Sequence, residues 1–371
     1  MNIAIFECLP SGGAKRTVLE QVKGLKKRNN KVDLFRIPYG SKDPFNIEKY
    51  VDDIYEYQFR KTSVRSGIWN RLEEDFKNFV TLYFLNKKIA NFINKSSYDV
   101  ALIHSDILIQ APYILRFLRI PSIYHCHEPL RIVYEKELAF KEKVNFAKRF
   151  YELATRKLRK NIDRSNAQRA DLTVTSSLYV KTLVKKYFGR EAECCYAGVD
   201  TRLFKPLKVK KKNSVIVPGK SNIKGFSFAL QIVKKIDLKF RPEISVIGDF
   251  ALGKTRSDNE IARQYSEALA TLCVAHNEPY GLVALESMAC GTPVLAVDEG
   301  GYRETVVDGV TGYLLPRDSK IFAEKIEFLV KNPGIARRMG KAGREHVKKN
   351  FTWDKHVGCI EKILLREAKN K

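Results

Sequence analysis

Short apolar segments and longer amphipathic segments alternate along most of this chain. Residues 2–6 form the first apolar segment, and a glycine-containing loop at 9–14 and a helical pattern at 15–28 follow it. Apolar segments of this length are typical of buried parallel strands, whereas the longer segments have the period of amphipathic helices. The alternation predicts an α/β protein with doubly wound parallel sheets.

The same pattern predicts further elements and a boundary beyond the middle of the chain. Further strands are expected at 31–37, 99–104, 122–125, 170–177, 214–218, 244–248, 273–275 and 294–297, with a basic helical region at 132–170 and a helix at 261–272. The Lys-rich segment 207–213 separates the two groups of strands. We therefore expect a first domain at 1–205, a second at 213–350 and a final helix at 351–371 that crosses back to the first domain.

One segment combines two carboxylates, a helix start and a buried strand. Residues 278–301 read EPYGLVALESMACGTPVLAVDEGG, in which Glu278 and Glu286 are eight positions apart. Gly281 frees the backbone directly before a strongly helical run, so a helix is expected to begin at about Gly281. This segment carries most of the information about chemistry.

The predicted helix start is a site for an anion. The amides of Leu282 and Val283 would lack intrahelical acceptors, and with the helix dipole they would bind a group such as a pyrophosphate. Glu286, about one and a half turns inside, could accept two hydrogen bonds from a ribose diol. Two glutamates at this spacing are usually solvated surface residues. Here the context favours a site, because the strand at 294–297 ends in a loop at 298–301, where ligands of open α/β sheets bind.

These residues resemble the nucleotide-sugar signature of glycosyltransferase family 4, whose members are retaining enzymes with a two-domain GT-B fold. Residues 300–306 and 308–315 continue the resemblance, and residues 196–206 resemble the family's passage between domains. The resemblance implies two Rossmann-like domains facing a cleft. Only about 30 residues separate 244–248 from Glu278, where the family has a further strand and helix, so we expect a shortened second sheet.

A second loop supplies candidate cations. Residues 219–225 resemble the family's loop that contacts the donor's diphosphate, which implies this role for Lys220 and Lys224. Lys220 stands where arginine is usual and keeps the charge without the planar fork. On the residues alone, both lysines would more often be solvated side chains. In the implied mechanism Glu278 binds donor hydroxyls, and no metal is expected because the lysines do that work.

The segment 125–131, HCHEPLR, resembles the loop that family 4 enzymes place against the donor sugar. His127 is the residue that we expect to act there. His125 is an alternative, because residues two positions apart lie on the same side of an extended chain. Metal binding by His125, His127 and Glu128 is a further alternative, although the sequence identifies no additional ligand.

A paired-glycine loop follows the first predicted strand. Gly12 and Gly13 could let backbone amides approach a phosphate or an acceptor, and in family 4 such a loop faces the cleft between the domains. Two glycines alone are a weak signal. We place both among the expected donor-binding residues, together with Gly281.

The net charge of +25 is unevenly distributed. Residues 141–190 hold 14 Lys/Arg and 4 Asp/Glu, whereas residues 251–300 hold 3 Lys/Arg and 7 Asp/Glu. A solvated basic face is one interpretation. The other is an anionic partner, for which an acidic membrane surface is favoured over nucleic acid because no nucleic-acid-binding motif accompanies the charge.

Seven cysteines are scattered without metal-ligand spacing, and several lie in apolar surroundings, so reduced and buried thiols are expected. No apolar run approaches the length of a membrane span, and residues 3–6 are too short for a signal-peptide core. We therefore expect a cytoplasmic protein that could lie peripherally at the inner face of the membrane.

The predicted function is transfer of a hexosyl unit, with retention, from a nucleoside diphosphate sugar to a hydroxyl of a saccharide or lipid-linked acceptor. The nucleotide sugar is a co-substrate, and no cofactor is expected. A sugar-nucleotide epimerase or a phosphorylase is a competing enzyme, and the spacing of Glu278 and Glu286 argues against both. From another class, a catalytically silent GT-B subunit would bind a membrane or a partner. Lys220 and the short segment 244–278 keep that alternative open.

Overall fold

The computed structural model describes residues 1–39, 45–59, 68–135, 146–248 and 257–369. It divides into two compact units, of which the first is Met1–Cys195 with Val357–Lys371 and the second is Tyr196–His356. The chain thus enters the second unit at Tyr196, ahead of the Lys-rich connector at 207–213. The part of the last helix from Val357 onwards belongs to the first unit.

The first unit is built on a parallel sheet of seven described strands. These are β1 (Asn2–Cys8), β2 (Lys31–Arg36), β3 (Ile54–Glu56), β4 (Val100–Asp106), β5 (Ser122–Cys126), β6 (Leu172–Thr175) and β7 (Glu193–Cys194). The strand order is β3-β2-β1-β4-β5-β6-β7. β1 and β4 lie side by side at the centre and are buried along almost their whole length, which is why both read as continuous apolar runs.

Helices cover the first sheet. They are α1 (Gly13–Lys27), α2 (Ile68–Phe76), α3 (Leu82–Lys95), α4 (Arg131–Tyr134), α5 (Phe146–Ala167) and α6 (Leu178–Phe188). A π-helical turn, Lys77–Thr81, joins α2 to α3. The Ser177 side chain caps α6 by accepting a hydrogen bond from the amide of Val180, and Gly189 ends this helix with a positive φ of 69°.

The second unit has a smaller parallel sheet. Its described strands are β8 (Ser214–Gly219), β9 (Glu243–Gly248), β10 (Ala270–Cys273), β11 (Val294–Val297) and β12 (Gly312–Leu315), in the order β12-β11-β10-β8-β9. Its helices are α7 (Phe226–Lys234), α8 (Asp258–Glu267), α9 (Leu282–Ala289), α10 (Tyr302–Thr305), α11 (Ser319–Lys331) and α12 (Pro333–Asn350), and α13 (Trp353–Lys369) completes the chain. The prediction of an α/β protein with two doubly wound parallel sheets is confirmed.

The predicted bounds around β10 were wrong. Instead of a helix at 261–272 and a strand at 273–275, α8 spans Asp258–Glu267 and β10 spans Ala270–Cys273. The helix starts early because Ser257 and Glu260 form a reciprocal capping box, and it ends because Ala268 is extended. The shortening expected between 244 and 278 falls partly on residues 249–256, which lie outside the described residues.

The expectation that all seven cysteines are reduced was also wrong. Cys195 and Cys359 form a disulfide within the first unit. Sequence spacing could not reveal this pair, because its members are 164 positions apart. The remaining thiols are free, and four of them (Cys8, Cys126, Cys273 and Cys290) are buried as expected.

None of the described helices combines the length and the apolar character that a membrane span requires.

Candidate functional site

The second sheet has a topological switch point between β8 and β10. From β8 the chain crosses to β9 on one side of β8, and it then returns past β8 to β10, β11 and β12 on the other side. In open α/β sheets ligands bind at such a point, outside the carboxyl ends of the strands. The loop after β8 contains Lys220 and Lys224, and the loop after β10 contains Glu278 and leads to Gly281 at the start of α9.

An ion pair connects these two loops. The Lys224 ammonium donates a hydrogen bond to Glu278, with an Nζ–Oε2 distance of 3.1 Å. The Lys224 side chain is 45% exposed, and such an exposed pair stabilises the fold only weakly. Lys220 is exposed directly after the last residue of β8. The structure therefore brings Lys224 and Glu278 into contact and places Lys220 in the same loop.

The paired glycines at 300–301 hold the loop that carries Glu278. The amide of Gly301 donates to the Glu278 carbonyl at 2.8 Å. A Cβ on Gly300 would lie 2.5 Å from that carbonyl oxygen, and one on Gly301 would lie 2.6 Å from the Cα of Tyr280. Only glycine lets these backbones approach so closely, so the glycine pair fixes the position of the backbone at Glu278.

Helix α9 begins where the sequence predicted. Gly281 is its N-cap residue and has a φ of 93°, which favours glycine. The amides of Leu282 and Val283 belong to the first turn, where they have no intrahelical acceptor. The turn therefore presents backbone donors next to Glu278, with the positive end of the helix dipole behind them.

Glu286 lies inside α9 and is half-buried. Its Oε2 accepts a hydrogen bond from the Tyr265 hydroxyl at 3.2 Å. Tyr265 is fully buried, and burial together with the nearby Glu286 charge raises the pKa of this phenol well above its usual value. It therefore stays protonated and acts as a donor. The sequence analysis missed this positioning contact, since α8 was not predicted to face α9.

A carboxylate–guanidinium pair also supports the loop after β10, and it was not predicted. Nε and Nη2 of Arg317 donate to the two carboxylate oxygens of Glu299, at 2.8 and 2.7 Å, and Arg317 also donates to the carbonyls of Val274 and Ala275. Arg317 holds the pKa of the half-buried Glu299 below its usual value, against the opposing effect of burial. A lone arginine at 317 offers no sequence signal for this contact.

In the first unit, the switch point lies between β1 and β4. Gly12 and Gly13 follow β1, and α1 begins at Gly13. Glu7 of β1 is fully buried, and it accepts hydrogen bonds from the Leu9 amide and from Lys15 Nζ, both at 2.9 Å. Burial raises the pKa of Glu7 and Lys15 opposes this effect. The glycine loop is thus anchored by a buried ion pair that the sequence analysis did not identify.

Three histidines stack at the ends of β4 and β5. His104 and His125 are partners in the register of these strands, and His127 follows β5. His104 Nδ1 and His127 Nε2 are 3.1 Å apart, and the ring centroids of His125 and His127 are 4.6 Å apart. His104 was missed as a site residue, because only the pairing of β4 with β5 brings it to the others.

Two hydrogen-bond partners hold the ring of His125. Its Nδ1 lies 2.9 Å from the side-chain amide nitrogen of Gln21. Its Nε2 lies 3.0 Å from Ser176 Oγ. His125 is buried between these partners, whereas His127 is partly exposed and remains the histidine that we predict to be functional.

The three imidazoles are also the group of side chains in the described ranges that could hold a metal ion, with ligand atoms within 4.8 Å of one another. Three imidazoles suit zinc. However, the nearly parallel rings of His125 and His127, which are inclined by 21°, do not direct their lone pairs toward one point, and Gln21 already occupies Nδ1 of His125. Hydrogen bonding explains this cluster better than metal binding.

A buried carboxyl group supports the loop that follows His127. Asp163 of α5 accepts hydrogen bonds from the amides of Leu130, at 3.2 Å, and Ala111, at 3.1 Å. Burial raises its pKa to about 7, against these hydrogen bonds, which lower it. The sequence offered no sign that this aspartate faces the interior.

Two protein-family models match this chain. Residues 11–203 match the model of Glycosyltransferase Family 4, and residues 249–346 match that of Glycosyl transferases group 1. The chain belongs to glycosyltransferase family 4. The first match covers the glycine loop and the histidine stack of this family member, and the second covers both glutamates.

Relatives with a named activity match only part of this family member. The D-inositol 3-phosphate glycosyltransferase of Streptomyces bingchenggensis is 37% identical over 108 residues, which are 29% of this chain and 24% of that protein. The chain therefore aligns with about a quarter of the length of such relatives.

Solved structures match this family member over its whole length. Sucrose-phosphate synthase from Thermosynechococcus elongatus superposes with a TM-score of 0.73 at 18% identity, covering 100% of both chains. Anabaena HepE in complex with UDP-glucose gives 0.74 at 17% identity, covering 99% of this chain and 100% of that one. At such identities the likeness shows the fold, which is GT-B.

Proposed function

We propose that this protein transfers a hexosyl unit from a nucleoside diphosphate sugar to a hydroxyl of a saccharide or lipid-linked acceptor, with retention of anomeric configuration. One observation carries the proposal. Lys224, Glu278 and the first turn of α9 meet at the switch point of the second sheet, in a chain of glycosyltransferase family 4.

The second-unit site has a group for each part of such a donor. Lys224 and Lys220, with the amides of Leu282 and Val283, would bind the diphosphate and stabilise the charge that develops on it as it leaves. Glu286, oriented by the Tyr265 hydroxyl, would accept hydrogen bonds from the ribose diol. These interactions supply cationic and amide donors without a metal ion.

Donor binding would exchange one partner of Lys224 for another. In the structure Lys224 contacts Glu278, and both groups are partly exposed. An arriving diphosphate would attract the ammonium, which leaves Glu278 to accept hydrogen bonds from donor hydroxyls. The bond from the anomeric carbon to the phosphate then breaks, the acceptor oxygen bonds to the same face, and the leaving phosphate takes the acceptor's proton.

The other partners in this proposal are the acceptor and a surface. HepE was solved with UDP-glucose, which supports a nucleotide sugar as the donor class here. The charge of +25 supports contact with an anionic membrane surface, where a lipid-linked acceptor would lie. Participation of His127, Gly12 and Gly13 remains a prediction from the family resemblance.

Nucleotide binding tests the site directly. We expect one of UDP, GDP and ADP to raise the melting temperature, because a ligand bound only by the folded state stabilises it. Glu286→Gln should weaken that binding at least about tenfold, since hydrogen bonds to a charged acceptor contribute about 1.5–3 kcal/mol. Glu324→Gln, on the exposed surface of α11, is the matched control and should bind like the wild type. Equal affinities for both variants would refute the assignment of Glu286.

Turnover separates the enzyme from a silent subunit. Purified protein, incubated with a panel of nucleotide sugars and saccharide or lipid-linked acceptors, should release nucleoside diphosphate. Lys224→Ala should slow this release more than it weakens nucleotide binding, because the lysine acts on charge that develops during transfer. Nucleotide binding without release from any donor would favour the catalytically silent GT-B subunit.

A further inference from the structure

A line of apolar side chains faces solvent along α2, the π-helical turn and α3. Leu72, Phe76, Val80 and Phe84 recur at intervals of four residues, and all four are exposed, Phe84 to 61%. Single exposed apolar residues are common on protein surfaces, but a continuous line of four is not. We call this line the α2–α3 stripe.

The helices direct this stripe outward for a clear reason. The opposite side of α2 and α3 packs against the rest of the first unit. The buried residues on that side include Asp75, Leu82, Asn86, Ile89 and Ile93. An α-helix alone would rotate a four-residue repeat steadily around its axis. The wider π-helical turn at Lys77–Thr81 takes up that rotation, so the stripe stays on one side.

A second stripe lies on the neighbouring helix. Phe150, Leu153 and Leu158 of α5 are exposed, Phe150 to 68%. Contacts between the two helices place them side by side, because Tyr151 Oη donates to Asp75 Oδ2 at 2.5 Å and Arg159 also pairs with Asp75. Both helices thus keep polar residues at their junction and expose apolar ones.

Positive charge accompanies the exposed apolar side chains of α5. The sequence of α5 contains seven basic residues (Lys148, Arg149, Arg156, Lys157, Arg159, Lys160 and Arg164) and two acidic ones (Glu152 and Asp163). Among the basic residues, Arg149, Lys157, Lys160 and Arg164 are exposed. Asp163 is buried, and Glu152 pairs with Arg71, so the outer face of α5 is cationic.

We propose that the α2–α3 stripe and the exposed face of α5 dock on the surface of an anionic lipid bilayer. Helices that lie in a membrane interface carry Phe and Leu on one side together with Lys and Arg, which bind the anionic headgroups. Phe76, Phe84, Phe150 and Leu153 enter the boundary between headgroups and acyl chains. Arg149 and Lys157 contact lipid phosphates.

The composition of this surface favours a bilayer over a protein partner. The centres of protein–protein interfaces are depleted in lysine, whereas here Lys157 lies between the exposed Leu153 and Leu158 on α5. A lysine near a bilayer keeps its ammonium among the headgroups while its methylenes contact apolar atoms. Docking on a bilayer or on a protein partner does not require the proposed transfer reaction, so docking can be tested separately from catalysis.

Vesicle co-sedimentation tests the surface. The wild type should pellet with vesicles of phosphatidylcholine mixed with phosphatidylglycerol, bind pure phosphatidylcholine weakly, and lose binding as salt rises. Phe76→Ser/Phe84→Ser and Phe150→Ser/Leu153→Ser should each weaken binding at least about tenfold, because each removes two apolar anchors. Arg149→Gln/Lys157→Gln should weaken it roughly fivefold per charge and reduce its salt dependence.

Leu238→Ser provides the matched control, because Leu238 is exposed to 77% in the second unit and lies outside both stripes. It should bind like the wild type. Unchanged melting temperatures would show that all variants fold, as expected for exposed positions. Absence of wild-type binding to anionic vesicles, or full binding by both stripe variants, would overturn the proposal. The proposal would also be overturned if the wild type did not bind vesicles but formed a dimer in solution that the stripe variants dissociate. That result would assign the surface to a second copy of the chain.

Discussion

Asp163 illustrates how one buried side chain couples the predicted functional loop to pH. Its carboxyl group holds the amides of Leu130 and Ala111, and burial raises its pKa from 3.8 to about 7. Burial and the Asp163 carboxyl group also raise the pKa of Tyr134. The loop after His127 therefore depends on a group that changes charge near neutral pH.

The direction of the pH effect follows from linkage. The pKa in the folded state lies above that in the unfolded state, so the folded state binds the proton more tightly. The contribution of Asp163 to the free energy of unfolding is therefore greatest below pH 3.8. It decreases as the pH rises toward about 7 and stays low above that value. Ionised Asp163 then costs the folded state a few kcal/mol.

Asp163→Asn should remove that dependence. The variant loses one acceptor, so it is expected to melt below the wild type at acidic pH. The deficit should shrink or reverse above pH 7, where the wild-type carboxylate is ionised and the amide is not. Melting temperatures measured across this range for the variant, the wild type and the exposed control Asp237→Asn provide the test. Parallel curves for wild type and Asp163→Asn would contradict a titrating Asp163.

The site residues that the sequence predicted are those set by local chain geometry. Glu278, Gly281 and Glu286 lie in one segment, so a helix start and its spacing sufficed to relate them. Tyr265, which orients Glu286, lies on α8, and its contact with α9 depends on how two helices pack on a sheet. His104 likewise required the register of β4 against β5. Such pairings leave no periodic trace in the sequence.

At the scale of elements, α12 contains two glycines whose replacement by alanine should change the stability of the protein in opposite directions. A Cβ on Gly340 would lie 2.0 Å from the carbonyl oxygen of Gly291, which follows α9, so α12 packs directly against that backbone. A Cβ on Gly334 would meet nothing within 4 Å. Both positions are helical, so local helix propensity favours alanine at each. Packing alone distinguishes them.

Gly340→Ala should destabilise the protein by about 1–3 kcal/mol, because the methyl group forces α12 away from the end of α9. Gly334→Ala should stabilise it by up to about 1 kcal/mol through the reduced entropy of the unfolded chain. Urea denaturation of both variants and the wild type measures the effect. Since α9 carries the predicted anion site, Gly340→Ala should also weaken nucleotide binding, and Gly334→Ala should not. Equal shifts in both variants would show that α12 does not pack as described.

The elements themselves were predicted where burial makes the pattern unambiguous. β11 spans Val294–Val297 as expected, because all four residues are buried and turn residues bound them. The sequence analysis misplaced α8 and β10 because both are short and adjacent, and periodicity cannot locate a boundary between two apolar runs. The capping box at Ser257 and Glu260 was the available signal for the true start.

At the scale of the whole molecule, the disulfide spans the entire second unit. Cys195 is the last residue before the chain enters that unit, and Cys359 follows the return at Val357 by two residues. Both cysteines belong to the first unit, where β7 ends and α13 packs through Ile360, Ile363 and Leu364. The bond therefore closes a loop of 164 positions and ties the C-terminal helix to the first unit.

A cross-link across so long a loop restricts the unfolded chain strongly, and the chain-entropy model gives about 5 kcal/mol. We expect a reductant to lower the midpoint of chemical unfolding for the wild type. Cys195→Ser/Cys359→Ser should unfold at that lower midpoint with or without reductant, whereas Cys194→Ser, which removes the adjacent free thiol, should respond like the wild type. Thiol labelling of the unfolded, unreduced protein should count five reactive cysteines. Seven reactive cysteines, or a wild type insensitive to reductant, would show that the two sulfurs are not bonded. In that case packing, together with polar contacts such as the Arg28–Glu361 and Arg366–Glu193 ion pairs, would hold the C-terminal segment on the first unit without a covalent bond.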